Sequence, residues 1–458
     1  MIGSIRRLSI AAGIWPKRWT LCSSAIKRSF QRPRPIQGSS TVLSKYWFSG
    51  PLTRTLSTMA QVSSADGSHC TAKQVKLNDE NKCVRVTWGD GKEDEYPYVW
   101  LRDNCQCPEC FVSSSASRAF LMANLDPDVK PKNVQADDDY TVTVTWEDGH
   151  NSSFKADWLL YRSFSSEQQH RRLRLYRPEW KHWGANEMQG KIPQFAFGEV
   201  MSEDRSLHDF LHTLDVMGLV MLKNTPTMTG QLEKLGKRIA YLRPTNYETV
   251  FTVINRNKNA NNLAYTRRRL GLHMDLPFYE YSPEIQLLHC IKQADGMGGS
   301  NEFVDGPYVA KQLRDLNPEA YKTLTTTLVD FYDVGEEAYK FNFAYRWPVI
   351  ALGRDGEPES IFYNDQVRAY QLNIPAEEVY GFYKALKEFH KLMYDPKNIV
   401  EVKMEEGDIV CFANKRVLHG RTGYENVKGE RHLEGAYFDW DEVRSRVRVL
   451  KRDLNIEP

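Results

Sequence analysis

The stretch His273-Met274-Asp275, followed by the apolar run Ile285-Gln286-Leu287-Leu288-His289-Cys290-Ile291, sets the reading of the fold. The run is short and almost wholly apolar, which predicts a buried strand. Side chains alternate in extended chain, so His273 and Asp275 are expected on one face of a strand. Farther on, Gly407-Asp408-Ile409-Val410-Cys411-Phe412 reads as a turn and short strand that deliver His419 from the loop beyond. Arg431, Leu433, Gly435 and Tyr437 fall on one face of another strand. Three strands of one β-sandwich would then bring these groups together. Two imidazoles and one carboxylate form the facial triad that holds non-haem Fe(II) and leaves three positions open. Arg431 supplies a planar guanidinium fork suited to gripping a dicarboxylate cosubstrate. The pattern predicts an oxygen-activating enzyme.

The 458 residues leave room for two domains plus an extension. Hydrophobic residues make up 41% and charged residues 26%, which is ordinary for a soluble globular chain. With 61 basic against 59 acidic residues, composition gives no case for a nucleic-acid partner, and no apolar run approaches a membrane span. The charge is uneven, however. No acid precedes Asp66, whereas Arg6, Arg7, Lys17, Arg18, Lys27, Arg28, Arg32, Arg34, Lys45 and Arg54 do. An Arg- and Ser-rich, acid-poor leader predicts a mitochondrial transit peptide over residues 1–66 and a matrix location. A start at Met59 and a cytoplasmic protein is the alternative.

Cys105-x-Cys107-x-x-Cys110 places three of the eight cysteines in six residues. In a reducing compartment such spacing favours metal ligation over disulfides. The fourth ligand follows from a repeat. Val84-x-Val86-Thr87-Trp88-x-Asp90-Gly91 recurs 58 residues later as Val142-x-Val144-Thr145-Trp146-x-Asp148-Gly149, and Trp100-Leu101 recurs as Trp158-Leu159. Each copy predicts a strand, an Asp-Gly turn and a return strand. Two such hairpins side by side could carry His150, just past the second turn, to the cysteine loop; His69 is the substitute. Four ligands would make a closed structural zinc site.

From about Val84 onward the chain resembles the gamma-butyrobetaine dioxygenase branch of the Fe(II)/2-oxoglutarate oxygenases, close kin of the trimethyllysine dioxygenases. The resemblance rests on Trp100-Leu101-Arg102-Asp103-Asn104-Cys105, the His273-x-Asp275 triplet, Gln286 to Gln293, Leu418-His419-Gly420-Arg421, and Arg431 to Tyr437. It implies a mainly β protein with bracing helices: a zinc-binding β-rich domain over 67–175, then a distorted double-stranded β-helix (jelly-roll) oxygenase domain over 185–458. It also implies a homodimer that uses Fe(II), 2-oxoglutarate, dioxygen and a structural zinc, with ascorbate as reductant. Iron would take His273, Asp275 and His419, and 2-oxoglutarate would take Arg431 with Asn301 alongside. A betaine substrate would place its trimethylammonium among Tyr247, Phe251, Tyr265 and Tyr437, and its carboxylate against Asn262 and Asn364. Aromatic faces suit a quaternary cation that has no hydrogen to donate. Core packing is the other use for such rings.

The chain departs from the family pattern at four places. Phe251 and Lys415 stand where Trp is common, Ala413 where Asp is common, and Asn301 where a hydroxyl residue is common. The predicted activity is hydroxylation of gamma-butyrobetaine to L-carnitine, with succinate and CO2 as co-products. Trimethyllysine hydroxylation is the alternative within the class, and a non-catalytic zinc-stabilised binding protein is the alternative outside it. Three bracing helices are predicted: one carrying Leu232, Leu235 and Ile239 on one face, one started by Asn317-Pro318, and one with the stripe Val379, Phe382, Leu386, Phe389 and Met393.

Overall fold

The computed structural model describes residues 71–137, 140–254, 266, 268–293, 296, 298–423 and 431–456. Residues 1–66, His69, Asn262 and Tyr265 lie outside them.

The 58-residue repeat folds as two related three-stranded meanders. One runs through Ala72–Asn78, Cys83–Trp88 and Glu93–Pro97, the other through Pro131–Ala136, Thr141–Trp146 and Asn151–Lys155. Each Asp-Gly turn puts its glycine in the left-handed region, Gly91 at φ +83° and Gly149 at φ +84°, where a side chain would be strained. The leading strand of each meander is an addition to the predicted hairpin. Val84, Val86, Trp88 and Leu101 of the first copy share one core with Val142, Val144, Trp146 and Leu159 of the second. Short helices, Tyr98–Asp103 and Ala156–Tyr161, close each copy.

The larger part is built on two sheets. A six-stranded sheet orders Val250–Ile254, His432–Phe438, Ile285–Lys292, Ile409–Ala413, Leu219–Lys223 and Gln194–Ala196. A four-stranded sheet orders Leu270–His273, Val417–Arg421, Asn301–Asp305 and Val400–Val402. Alternation sorts their side chains into layers. Leu288, Cys290, Val410 and Phe412 of the large sheet pack with Phe303, Val400 and Val417 of the small one. On the outer face of the large sheet, Ile285, Leu287, Ile409 and Cys411 pack with helical residues such as Leu211, Leu235 and Val443. Leu272, Val304 and Leu418 do the same behind the small sheet, with Leu313, Leu324, Phe382 and Phe389. Strands covered on both faces read as continuous apolar runs, and the Ile285–Lys292 strand does. Its one inward amide is Gln286.

The bracing helices are those expected. Leu232, Leu235 and Ile239 are buried along Gln231–Ile239. The Asn317 side chain accepts the Ala320 N–H at the head of Pro318–Thr326, and Phe382, Leu386, Phe389 and Met393 line Ala376–Met393. Among the described residues no helix is long and apolar enough to cross a membrane.

The chain passes from the large to the small sheet through Asn414-Lys415-Arg416, between Ile409–Ala413 and Val417–Arg421. Arg416 is 2% exposed. Its guanidinium lies 2.9 Å from Asp305 Oδ2, donates to the Val216 and Lys181 carbonyls, and covers the Trp180 ring. Asp305, fully buried, would be raised by burial, but Arg416 and then His182 hold its carboxyl below the ordinary range. Removing one partner strands the other charge in the interior, at about 3–5 kcal/mol. Arg416→Ala should therefore lower unfolding free energy by about that amount in urea titration, and a loss under about 1 kcal/mol would contradict the assignment.

Candidate active site

His273 and His419 lie on adjacent antiparallel strands of the small sheet and face each other directly in register. Their rings are 4.2 Å apart. Period-two alternation sends Leu272 and Leu418 outward into the helix-covered core and both imidazoles inward. His419 thus sits in mid-strand rather than in a loop beyond one. Asp275 lies past the end of the Leu270–His273 strand rather than on its face. It reaches the histidines because the chain turns immediately after it: Leu276 takes φ +59°, a costly region for a side chain of that size. Asn414 secures this turn. Its Oδ1 accepts the Asp275 N–H at 2.8 Å, and its Nδ2 donates to the carbonyls of Asp275 and Pro283, both at 2.9 Å.

Asp275 Oδ1 lies 3.2 Å from His273 Nε2 and 3.7 Å from His419 Nε2. Bonds of about 2.1 Å at right angles would set neighbouring donors about 3 Å apart, so the set fits one first-row metal ion with little adjustment. His273 Nδ1 meets the Gly271 carbonyl at 2.8 Å; a carbonyl only accepts, so Nδ1 carries the proton and Nε2 is left for the metal. Burial, then the neighbouring His273, push the His419 imidazole down to about 3, which keeps it neutral. Burial would raise Asp275, but the His273 and His419 side chains beside it and then the Tyr437 hydroxyl outweigh it and hold the carboxyl below the ordinary range. Tyr437 Oη donates to Asp275 Oδ2 at 2.7 Å.

These residues line one cavity between the sheets. Of the residues expected from sequence, Tyr247, Phe251, Asn301, Asn364, Arg431 and Tyr437 all lie on its wall. Arg431 is 5% exposed. The rings form a series, Tyr247 to Phe251 at 5.7 Å and Phe251 to Tyr437 at 5.3 Å. Gly435 makes the stacking possible, since a Cβ there would strike the Phe251 ring. Asn364 is partly committed to the fold: Nδ2 donates to the Met274 carbonyl at 3.1 Å and Oδ1 accepts the Gln366 N–H. One of its two amide hydrogens remains for a ligand.

A second cluster lies in the N-terminal part. His150 Nε2 is 3.3 Å from Cys105 Sγ, 3.6 Å from Cys107 Sγ and 3.7 Å from Cys110 Sγ. Zinc with Zn–S near 2.3 Å and Zn–N near 2.0–2.1 Å sets tetrahedral S and N donors about 3.5 Å apart, so the four side chains fit that ion. The Asp148-Gly149 turn aims the imidazole, with Asp148 Oδ1 accepting the His150 N–H at 2.9 Å. Burial, then the Arg102 charge, hold His150 below its ordinary value. Arg102 itself donates to Cys110 Sγ at 3.5 Å.

Two family models match the chain. The family described as taurine catabolism dioxygenase TauD, TfdA matches residues 176–437, and gamma-butyrobetaine hydroxylase-like, N-terminal matches residues 75–160. Gamma-butyrobetaine dioxygenase of Homo sapiens is 39% identical over 84% of this chain and 98% of its own length. The enzyme of the same name from Pseudomonas sp. (strain AK-1) is 35% identical over 81% and 94%. Mitochondrial trimethyllysine dioxygenase of Bos taurus is 29% identical over 78% and 82%. The chain belongs to the gamma-butyrobetaine dioxygenase branch of the TauD, TfdA dioxygenases.

Two of the departures from that family's pattern have structural uses here. Ala413 points outward into the helix-covered core. The Lys415 ammonium lies 3.3 Å from Glu284, whose other oxygen accepts the Trp440 N–H. Residues on the wall that sequence reasoning did not single out include Gln286, Arg421 and Asp333. Gln286 carried a usable signal, a single amide inside a strand apolar on both faces, and such a group needs a partner when buried.

His273→Ala should cut succinate formation from 2-oxoglutarate by about two orders of magnitude or more with the fold retained by circular dichroism; unchanged turnover would refute the triad. Cys107→Ser should lose bound metal by elemental analysis and unfold at lower temperature, because metal affinity and folding are one free energy in a structural site. Retained stability would mean the cluster holds no structural ion.

Proposed function

We propose that the chain hydroxylates gamma-butyrobetaine to L-carnitine. The observation that carries this is one cavity lined by the His273, Asp275 and His419 donors, Arg431 and three aromatic rings in series. The relatives named for this substrate are the more similar ones, at 35–39% identity against 29% for the bovine trimethyllysine enzyme. Bound Fe(II) with 2-oxoglutarate supplies oxygen activation, coupling decarboxylation of the cosubstrate to succinate and CO2 with hydroxylation of the substrate.

The protein's own part is binding, orientation and electrostatics. Arg431 grips the far carboxylate of the cosubstrate with a bidentate fork, and Asn301 stands across the cavity from the large sheet. Tyr247, Phe251 and Tyr437 offer π faces to the trimethylammonium, each good contact contributing about 0.5–2 kcal/mol. Asn262 and Tyr265, outside the described residues, complete this reading, and the spare Asn364 N–H serves the substrate carboxylate. Tyr437 has two roles, since its ring is part of the aromatic series and its hydroxyl steadies Asp275.

Zinc in the Cys105, Cys107, Cys110 and His150 cluster is a structural ion in this reading, supported by donor spacing. Residues 1–66 act as a mitochondrial leader to the matrix, supported by their Arg-rich, acid-free composition up to Asp66. A homodimer with ascorbate as reductant follows from the family resemblance.

Purified protein supplied with Fe(II), 2-oxoglutarate and each betaine in turn should give succinate and L-carnitine with gamma-butyrobetaine, and at least about tenfold lower kcat/KM with trimethyllysine. Turnover of trimethyllysine alone would reverse the choice.

A further inference from the structure

Buried amides in this protein are generally committed. Asn414 makes three hydrogen bonds, Asn364 two, and Asn398 exchanges hydrogen bonds with Gln312. Two amides on the cavity wall behave differently. Gln286 is 2% exposed and Asn301 4%, and Gln286 Oε1 and Asn301 Oδ1 are sealed from solvent without a hydrogen-bond partner. Gln286 comes from the large sheet and Asn301 from the small one. Natural interiors rarely leave such groups unsatisfied, and an exception calls for a ligand or water.

The position of Gln286 indicates which ligand. In the sheet register it stands between Tyr437 on one side and Phe412 on the other. Tyr437 donates to Asp275, and the Phe412 ring packs on His419 with centroids 4.7 Å apart. Gln286 therefore lies in the cross-strand row beneath the triad, whereas Arg431 lies six residues before Tyr437, just ahead of the neighbouring strand His432–Phe438. A quaternary ammonium has no N–H for an amide oxygen to accept, so the cation end of a betaine makes no hydrogen bond with Gln286. A carboxylate accepts from the amide NH2, and rotation about the last side-chain torsion can turn that edge to the cavity.

We infer that Gln286 is a cosubstrate-positioning residue, its amide donating to the metal-side carboxylate of 2-oxoglutarate while Arg431 holds the far one. This rests on the cosubstrate assignment made under Proposed function. Leucine keeps most of the volume of Gln286 and removes the donor, and glutamate replaces the donor with a like charge.

The test is calorimetric binding of 2-oxoglutarate to protein loaded with Mn(II) in the absence of oxygen. Gln286→Leu should weaken 2-oxoglutarate about tenfold and Gln286→Glu more, with gamma-butyrobetaine affinity unchanged and thermal midpoints near wild type. Under turnover with Fe(II), Gln286→Leu should form less hydroxylated product per succinate. Unchanged 2-oxoglutarate affinity in a folded variant overturns the inference, as does a loss confined to the betaine, which would move Gln286 to the substrate subsite. An equal loss for both ligands with a lowered midpoint would make the role structural and also overturn it. If wild-type protein fails to bind 2-oxoglutarate, the cosubstrate assignment itself falls, a result the variants cannot produce.

Discussion

Three consecutive residues, Asn414-Lys415-Arg416, carry the chain from one sheet to the other, and each fixes a different part of the site. Asn414 holds the backbone of Asp275 from both its N–H and its carbonyl. Lys415 ties the turn to Glu284, at the head of the Ile285–Lys292 strand. Arg416 is paired with Asp305 in the interior. A buried pair of that kind adds little net stability over an apolar substitute of equal volume, which would cost less desolvation, but it is costly to break. Here it ties the crossing between the sheets to Asp305 of the small sheet and to the Val216 and Lys181 carbonyls.

Much of this was legible in the chain because strand alternation is a strong local rule. The Ile285–Lys292 run reads as doubly covered, and Arg431, Leu433 and Tyr437 do share the cavity face. The same rule also misled. Asp275 sits two residues from His273, the spacing of one strand face, yet it reaches the site by a left-handed turn at Leu276. No leucine announces that conformation. It is imposed from 139 positions away by Asn414. His419 was expected in a loop because Val417-Leu418 is a short apolar stretch of ambiguous type, and a three-residue turn between strands in different sheets leaves no periodic signature.

The N-terminal part shows the opposite balance. A repeat carries long-range information that a single segment lacks, so the position of His150 followed from the turn it shares with the first copy. The three thiols and the imidazole then converge as the duplicated hairpins predict. The leading strands were missed for a local reason. Ala72–Asn78 has no buried residue and carries two lysines, and Pro131–Ala136 begins with a proline. Both read as loop, and both are ordered by pairing with a neighbour whose own pattern is strong.

Tyr437 connects the two halves of the chemistry in one side chain. Its hydroxyl holds the outer oxygen of Asp275, and its ring stacks on Phe251 at the start of the aromatic series. A change at Phe251 therefore has two routes to Asp275: directly through the shape of the cavity, and indirectly through Tyr437, whose ring packs on Phe251 and whose hydroxyl holds the carboxylate. Gly435 makes the space that Phe251 occupies, because a Cβ there would strike its ring. The Phe251 ring lies over that glycine and against Tyr437, so the shape of the cavity wall and the hold on Asp275 depend on the same packing contact.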